Sequence, residues 1–247
     1  LGIPAVVGVR DAASVIETGT LLEVDGFAGV CHVRPSADEQ LRARTRASRF
    51  QSFLQGLAER VTEPLTTADG QPVDLRANIE LPAEGRGLAE RGAAGVGLFR
   101  TEYLFLASPS SPSEDVQTRS YAQLLRDAAP HPVTFRTFDL GAEELPDRPT
   151  RTARDRPAVL NPALAPRGLR FALESSDLLR TQLRAILRAT AEVPEARVEL
   201  LFPMVTSRRD LLRAVAIFEE ERDQLAAAGL ALPRIPIGAM IEVPAAV

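Results

Sequence analysis

The stretch Gly95-Val-Gly-Leu-Phe-Arg-Thr-Glu-Tyr-Leu-Phe105 decides the fold. Its first half is small and apolar, which is typical of a buried strand in a parallel sheet. Arg100, Thr101 and Glu102 follow where we expect that strand to end, and α/β barrels carry their functional groups at such strand ends. Arg100 therefore either binds a phosphate or carboxylate through its planar guanidinium group or pairs with a nearby acidic side chain.

The same order of features recurs along the chain. We predict strands near residues 73–81, 94–99, 132–138, 198–204 and 236–242, and helices at 83–91, about 113–127, 171–191 and 207–228. Arg136 and Glu242 lie near the ends of the third and fifth strands. This alternation predicts an α/β fold with a parallel sheet and right-handed connections. Since a complete (β/α)8 TIM barrel takes about 250 residues, we expect a partial barrel of about five βα units.

The first 61 residues have a different pattern. Apolar residues at 1–8 and a glycine-bearing turn within 21–33 predict a short strand and a β-hairpin. Ser36 and Glu39 form a capping-box signature before a helix that extends to about Val61. This segment by itself is too small to bury a hydrophobic core.

Composition excludes several classes of function. The net charge of −4 gives no electrostatic reason to expect nucleic acid or an anionic membrane as partner, and no apolar run approaches the ~20 residues of a membrane span. All 29 basic residues are arginine, so a Walker lysine and a Schiff-base lysine are excluded within this chain. Cys31 is the single cysteine, which favours a cytoplasmic location. We interpret His32 and His131 as structural, because neither has partner residues nearby in sequence.

One arginine pattern has an ordinary explanation. Arg180, Arg184 and Arg188 are spaced four residues apart on the predicted helix 171–191. They therefore lie on one helical face, which we interpret as a solvated stripe rather than a binding patch.

Several segments together resemble the phosphoenolpyruvate-utilising enzymes, and most closely their Enzyme I branch, the phosphoenolpyruvate–protein phosphotransferases. The segments are 73–82, 95–105, Arg136-Thr-Phe-Asp-Leu-Gly141, Asn161-Pro-Ala-Leu-Ala-Pro-Arg-Gly-Leu-Arg170 and Ile237-Gly-Ala-Met-Ile-Glu-Val-Pro244. The resemblance implies that residues 1–35 end a swivelling phosphohistidine domain and that 36–72 form a linker helix and turn. Residues 73–247 would be the N-terminal part of the phosphoenolpyruvate-binding TIM barrel. Because the chain also lacks an initiator Met, we expect it to be a piece of a longer protein.

The resemblance also implies an activity. Enzymes of this branch transfer the phosphoryl group of phosphoenolpyruvate to their own histidine and then to a histidine phosphocarrier protein, and they act as homodimers. Arg100, Arg136 and Arg167 would bind the substrate, and Glu242 would bind Mg²⁺. The phosphohistidine and a catalytic cysteine would lie outside this chain, so we expect no catalytic residue within it and no activity from it alone.

Departures from the family pattern leave alternatives open. After Gly141 the family's Gly-Asp-Lys is replaced by Ala142-Glu143-Glu144, which removes a lysine near the site. This loss could weaken substrate binding, be compensated by an arginine such as Arg148, or accompany a changed activity. The chain could instead be a non-catalytic, degenerate phosphoenolpyruvate-binding paralogue. A relative of phosphoenolpyruvate synthase or pyruvate phosphate dikinase is the third possibility.

Overall fold

The computed structural model describes residues 3–61, 63–141, 144–145 and 166–247. The chain forms two compact units, Leu1–Val61 and Thr62–Val247. The replaced loop residues 142–143, Arg148 with the rest of the predicted surface loop, and positions 161–165 of the Asn-Pro motif lie outside the described residues. None of the helices in the described ranges combines the length and the apolar character needed to cross a bilayer.

The first unit contains the expected hairpin and long helix. Strands β1 (Leu22–Asp25) and β2 (Val30–Val33) pair antiparallel, and helices α1 (Ala12–Val15) and α2 (Ala37–Glu59) flank them in sequence. The predicted capping box is present: the Ser36 hydroxyl accepts from the Glu39 amide at 3.4 Å, and the Glu39 carboxylate accepts from the Ser36 amide at 2.7 Å. The predicted strand at 1–8 was wrong over its described part, residues 3–8. Pro4 has no backbone N–H to donate, which weakens this segment as a strand.

The second unit is built on a five-stranded sheet in the order β3-β4-β5-β6-β7. Its strands are β3 (Ala77–Ile79), β4 (Val96–Arg100), β5 (Pro132–Arg136), β6 (Arg197–Phe202) and β7 (Ile237–Ala239). Every pair of neighbouring strands is parallel. The α/β prediction is confirmed: the unit is a partial, TIM-barrel-like domain whose barrel is not closed.

Helices connect most of these strands. They are α3 (Glu102–Leu106), α4 (Glu114–Ala128), α5 (Gly168–Glu174), α6 (Ser176–Glu192) and α7 (Arg208–Ala227). The predicted helix 83–91 was wrong, because the chain there forms two 3₁₀ segments, Pro82–Gly85 and Ala89–Arg91. Gly87 between them has a φ of +67°, a conformation that interrupts a helix. The predicted helix 171–191 is likewise divided, since Ser175 leaves helical geometry with a ψ of 54°.

The helices cover one face of the sheet with a continuous apolar core. Phe99 of β4, Phe135 of β5 and Tyr121 of α4 are all buried. Their rings meet edge to face, with centroid distances of 5.2 to 6.1 Å. Edge-to-face contact is a favoured geometry for aromatic pairs. Because side chains alternate between faces along a strand, Arg100 and Arg136, which follow these phenylalanines, belong to the opposite face.

That opposite face is concave and polar. Arg76, just before β3, lies 2.9 Å from the carboxylate of Glu199 on β6. These strands are three spacings apart, about 14 Å in a flat sheet, so the sheet must curve for the two side chains to meet. The Thr134 hydroxyl of β5 donates to the same carboxylate at 2.6 Å. That hydrogen bond, followed by the charge of Arg76, lowers the pKa of Glu199.

The arginine stripe on α6 is not a solvated surface, and that interpretation was wrong. Arg180 and Arg184 bind opposite oxygens of the buried Glu221 carboxylate on α7, at 2.5 and 3.1 Å. Arg184 and Arg188 bind opposite oxygens of Glu114 on α4, at 2.7 and 2.8 Å. The stripe therefore joins α6 to both neighbouring helices through ion pairs.

Candidate functional site

Two of the candidate arginines lie side by side at the C-terminal end of the sheet. Arg100 is the last residue of β4 and Arg136 the last residue of β5, and the two are paired in register. Neighbouring strands lie about 4.8 Å apart, so the two side chains start from adjacent points on the concave face. Thr101 locks this arrangement, since its hydroxyl donates to the Arg136 carbonyl oxygen at 2.9 Å.

Each of these arginines has an acidic partner. Arg100 pairs with Glu80, which directly follows β3, and its side chain remains 43% exposed. Arg136 is only 12% exposed, and its Nη2 donates to Glu102 Oε1 at 2.9 Å. The structure thus contains the acid pairing that the sequence left open for Arg100. Such pairing does not exclude substrate binding, because a phosphate can replace or share a carboxylate at an accessible guanidinium group.

Arg167 joins the same group of charges through Asp139. Glu102 Oε1, besides binding Arg136, accepts from the Asp139 amide at 2.7 Å. Asp139 Oδ1 in turn lies 3.1 Å from Arg167 Nε, and the Arg167 side chain is 42% exposed. The sequence reading placed Glu102 and Asp139 at strand ends but gave neither a role. Their positions two and three residues after a strand-ending arginine were the available signal.

Three buried polar atoms near these strand ends have no hydrogen-bond partner. Among the described residues, the unpartnered buried side-chain atoms are Arg100 Nε, Arg136 Nε and Thr137 Oγ1. Buried polar atoms are nearly always satisfied, and an exception requires an explanation such as a bound water, ion or ligand. All three belong to the last residues of β4 and β5 or to the residue after β5. The missing partner is therefore expected at this edge of the sheet.

Glu242 lies exposed, three residues beyond β7. Its Oε1 accepts from the Met204 amide at 2.7 Å, which fixes the carboxylate next to the chain leaving β6. Over the ranges that the structure describes, Glu242 forms no ion pair, and no group of three or more His, Cys, Asp and Glu residues is placed to hold a metal. A single carboxylate still suits Mg²⁺, which is commonly held by one or two carboxylates together with substrate phosphate oxygens.

Gly168 connects the Arg167 segment to Glu242. Its φ is +54°, and a Cβ at this position would lie 2.7 Å from the Cβ of Met204. Only glycine allows so close an approach of the two segments. Because Met204 is the residue that holds Glu242, the position of Arg167 and the position of Glu242 are coupled by direct packing.

A cavity of about 350 Å³ lies elsewhere, between β3 and the 3₁₀ segments, and includes Asn78, Glu84 and Arg91 in its lining. None of the four candidate residues contributes to it. We base the site on the strand ends, since they carry the unpartnered donors and the paired charges.

Comparison with known proteins gives one family for most of the chain. A family model described as "PEP-utilising enzyme, PEP-binding domain" matches residues 55–247. The phosphoenolpyruvate-protein phosphotransferase of Geobacillus stearothermophilus is 36% identical over 248 residues, covering 100% of this chain and 41% of that protein. The Bacillus subtilis (strain 168) protein of the same name is 35% identical over 246 residues, or 99% of this chain and 42% of that protein. The multiphosphoryl transfer protein of Rhodobacter capsulatus is 40% identical over 248 residues, or 100% and 28%. The chain thus spans well under half the length of these relatives.

Proposed function

Because this chain belongs to the phosphoenolpyruvate-utilising enzyme family, we propose that its strand-end arginines bind phosphoenolpyruvate. The protein that carries the chain would transfer the phosphoryl group to its own histidine and then to a histidine phosphocarrier protein. The names of the relatives, phosphoenolpyruvate-protein phosphotransferase and multiphosphoryl transfer protein, support this reaction. A homodimer and a cytoplasmic location remain predictions from the resemblance and from cysteine usage.

The unpartnered donors of Arg100 and Arg136 are the observation that carries the proposal. Both Nε atoms are buried, and both belong to residues paired in register at the strand ends. A phosphate group offers several acceptor oxygens with about two negative charges, so one phosphate can satisfy donors from two adjacent arginines. Partial exposure of Arg100 leaves a route by which such a group can enter.

The proposed reaction needs mainly positioning and charge neutralisation from this part of the protein. The bond between the phosphorus and the enol oxygen breaks, and a bond to a histidine nitrogen outside this chain forms. The enolate left behind takes a proton from a cysteine, also outside this chain, and becomes pyruvate. Arg100 and Arg136 would hold the phosphoryl group in line, and Arg167 would add positive charge from its neighbouring segment.

Glu242 would hold Mg²⁺ in this proposal. Its exposed carboxylate is fixed by only one oxygen, so the other is available to a hard cation. The metal would supply charge neutralisation at the substrate oxygens. This matters because Glu80, Glu102 and Asp139 already balance the three arginines. Without additional positive charge, the arrangement is poorly suited to a substrate with several negative charges.

A non-catalytic phosphoenolpyruvate-binding protein is the second candidate. The replacement of the family's lysine after Gly141 favours it, since the chain contains no lysine that could take over that charge. The two candidates share the binding site and differ in whether the phosphoryl group moves.

The test uses the full-length protein with phosphoenolpyruvate labelled in its phosphoryl group. We expect labelled protein and an equal amount of pyruvate, and at least a 100-fold loss of both rates in Arg136→Gln. Arg126→Gln is the matched control, because Arg126 pairs with Glu192 near the C-terminal ends of α4 and α6, which lead into the N-terminal ends of β5 and β6. Binding without transfer supports the non-catalytic protein instead. No binding of phosphoenolpyruvate at all refutes the proposed function.

A further inference from the structure

A buried side chain on α6 is hydrogen-bonded to the ends of both arginine-bearing strands. Gln182 has no exposed surface, and neither does Thr101. Gln182 Nε2 donates to Thr101 Oγ1 at 3.0 Å, and Gln182 Oε1 accepts from the Phe138 amide at 3.0 Å. One amide group therefore contacts the residue after β4 and the segment after β5.

These hydrogen bonds fix the two arginines relative to one another. Thr101 directly follows Arg100, and its hydroxyl also donates a hydrogen bond to the Arg136 carbonyl oxygen at 2.9 Å. Phe138 lies two residues after Arg136, in the segment that follows β5. The Gln182 amide, on α6, thus contacts the chain at the point where both strands leave the sheet.

The remaining hydrogen bond of the amide sets its orientation. Gln182 Nε2 also lies 3.2 Å from the Tyr121 hydroxyl, which donates to Gln117 Oε1 at 3.0 Å. Because Gln182 Nε2 is hydrogen-bonded to Thr101 and Tyr121, the amide oxygen is the atom that faces the Phe138 N–H group. Burial raises the pKa of Tyr121, so the phenol stays protonated and keeps its donor role.

We propose that Gln182 is a positioning residue that sets the spacing of Arg100 and Arg136 for a phosphate group. This inference rests on the proposed function, because Gln182 would hold the same phosphate-binding arginines in position. Gln182 touches neither the substrate nor the reacting atoms. It acts through Thr101 and through the backbone after β5. Small displacements of positioned groups are known to have large effects on binding and rate.

The test compares phosphoenolpyruvate affinity with thermal stability in the full-length protein, with Mg²⁺ present throughout. Gln182→Leu keeps the side-chain volume and removes both strand-end hydrogen bonds. We expect its dissociation constant for phosphoenolpyruvate to rise on the order of tenfold. Leu183→Ala is the control: it changes the next residue of α6, equally buried, and has no polar link to the strand ends. It should lower the thermal midpoint and leave the affinity within about twofold.

Thr101→Val provides a second route should Gln182→Leu fold poorly. It removes the Gln182–Thr101 hydrogen bond from the strand side, together with the hydrogen bond from Thr101 to the Arg136 carbonyl, and we expect a similar loss of affinity. The affinity of the double variant should fall by clearly less than the sum of the two single effects, because both changes break the shared hydrogen bond between Gln182 and Thr101. Unchanged affinity in Thr101→Val, or equal loss of affinity in Leu183→Ala, overturns the positioning role while the proposed function stands. Failure of the unmodified protein to bind phosphoenolpyruvate overturns both.

Discussion

At the scale of single residues, Arg100 is the most accessible of the strand-end arginines that carry an unpartnered donor. It pairs with Glu80 and still keeps a buried Nε atom without a hydrogen-bond partner. Lysine at this position would preserve the charge and the pairing with Glu80 but would lack the planar fork. A lysine at position 100 therefore tests whether the site needs only a positive charge or also the planar guanidinium group.

We predict that Arg100→Lys lowers kcat/KM for phosphoenolpyruvate by roughly 10- to 100-fold in the full-length protein. The reason is the loss of a hydrogen bond to a charged group, which contributes roughly 1.5–3 kcal/mol. Steady-state kinetics of pyruvate release measure it. Arg126→Lys serves as control on the surface of α4, and equal kinetics of the Arg100 and Arg126 variants would show that Arg100 is structural.

Glu242 allows a substitution that separates charge from hydrogen bonding. In Glu242→Gln the side-chain oxygen can still accept from the Met204 amide, so we expect little change in the thermal midpoint. As a magnesium ligand, however, the side chain at position 242 loses its negative charge in this variant. The Mg²⁺ concentration for half-maximal activity should therefore rise at least tenfold, and turnover should fall.

Titration of activity against Mg²⁺, with thermal melts in parallel, measures both effects. Glu195→Gln in the exposed turn before β6 is the control. An unshifted Mg²⁺ curve together with a lower thermal midpoint would show that Glu242 has a structural role and does not bind the metal.

The candidate site was partly accessible from sequence. Arg100 and Arg136 follow apolar strands, so their place at the sheet edge could be predicted, and the register confirms that they are neighbours. Gln182 could not be found in this way. It lies within a helix whose apolar residues face the same core, and its importance depends on contacts with residues 44 and 81 positions away.

At the scale of elements, the ion pairs between α4, α6 and α7 are a source of acid sensitivity. Burial raises the pKa of Glu114, but hydrogen bonds from Arg184 and Arg188 more than offset it and leave the pKa below its ordinary value of 4.5. A carboxylate with a lowered pKa in the folded state stabilises the fold above its ordinary pKa. This stabilisation disappears as the pH falls through the lowered value.

We predict that Glu114→Gln lowers the free energy of unfolding by about 1 kcal/mol at pH 7, the range expected for partly exposed ion pairs. Below pH 4.5 the difference between the variant and the unmodified protein should shrink, because the unmodified carboxylate becomes protonated as well. Thermal melts between pH 7 and pH 3 measure this convergence. Melting midpoints that stay equally far apart across that range would contradict it, and Glu195→Gln again supplies the control.

The elements also show where sequence periodicity is insufficient. The capping box at Ser36 was correctly predicted because it depends on local spacing. The segment 83–91 was misassigned, since Gly87 interrupts it with a φ of +67° where Gly85 packs under α4. The arginine stripe was misinterpreted for a similar reason: its acidic partners come from α4 and α7, and nothing in α6 reveals them.

At the scale of the whole molecule, the alternation of strands and helices was enough to predict the parallel sheet. The order β3-β4-β5-β6-β7 follows the chain, as right-handed connections in a barrel require. The ion pair between Arg76 and Glu199 across two intervening strands was not predictable, because its partners lie 123 residues apart in the chain.

Strand length and burial predict a gradient of local stability in this chain. β5 has five residues, four of them buried, whereas β3 and β7 have three residues each, with one buried residue in β3 and none in β7. We expect amide hydrogen exchange to be slowest in β5 and fastest in β3 and β7, by at least a factor of 100. Uniform exchange across the sheet, measured by mass spectrometry of peptides, would contradict this gradient.

The order of the sheet has a consequence for how the protein is made. Each strand from β4 onward pairs with the strand that precedes it in the chain, so a growing polypeptide can add every new strand to an edge that already exists. No strand has to be inserted between two others, and the loops to be closed are no longer than one connection. The arginine of β4 is thus synthesised before β5, and the buried amide of α6 follows both strand ends that it contacts.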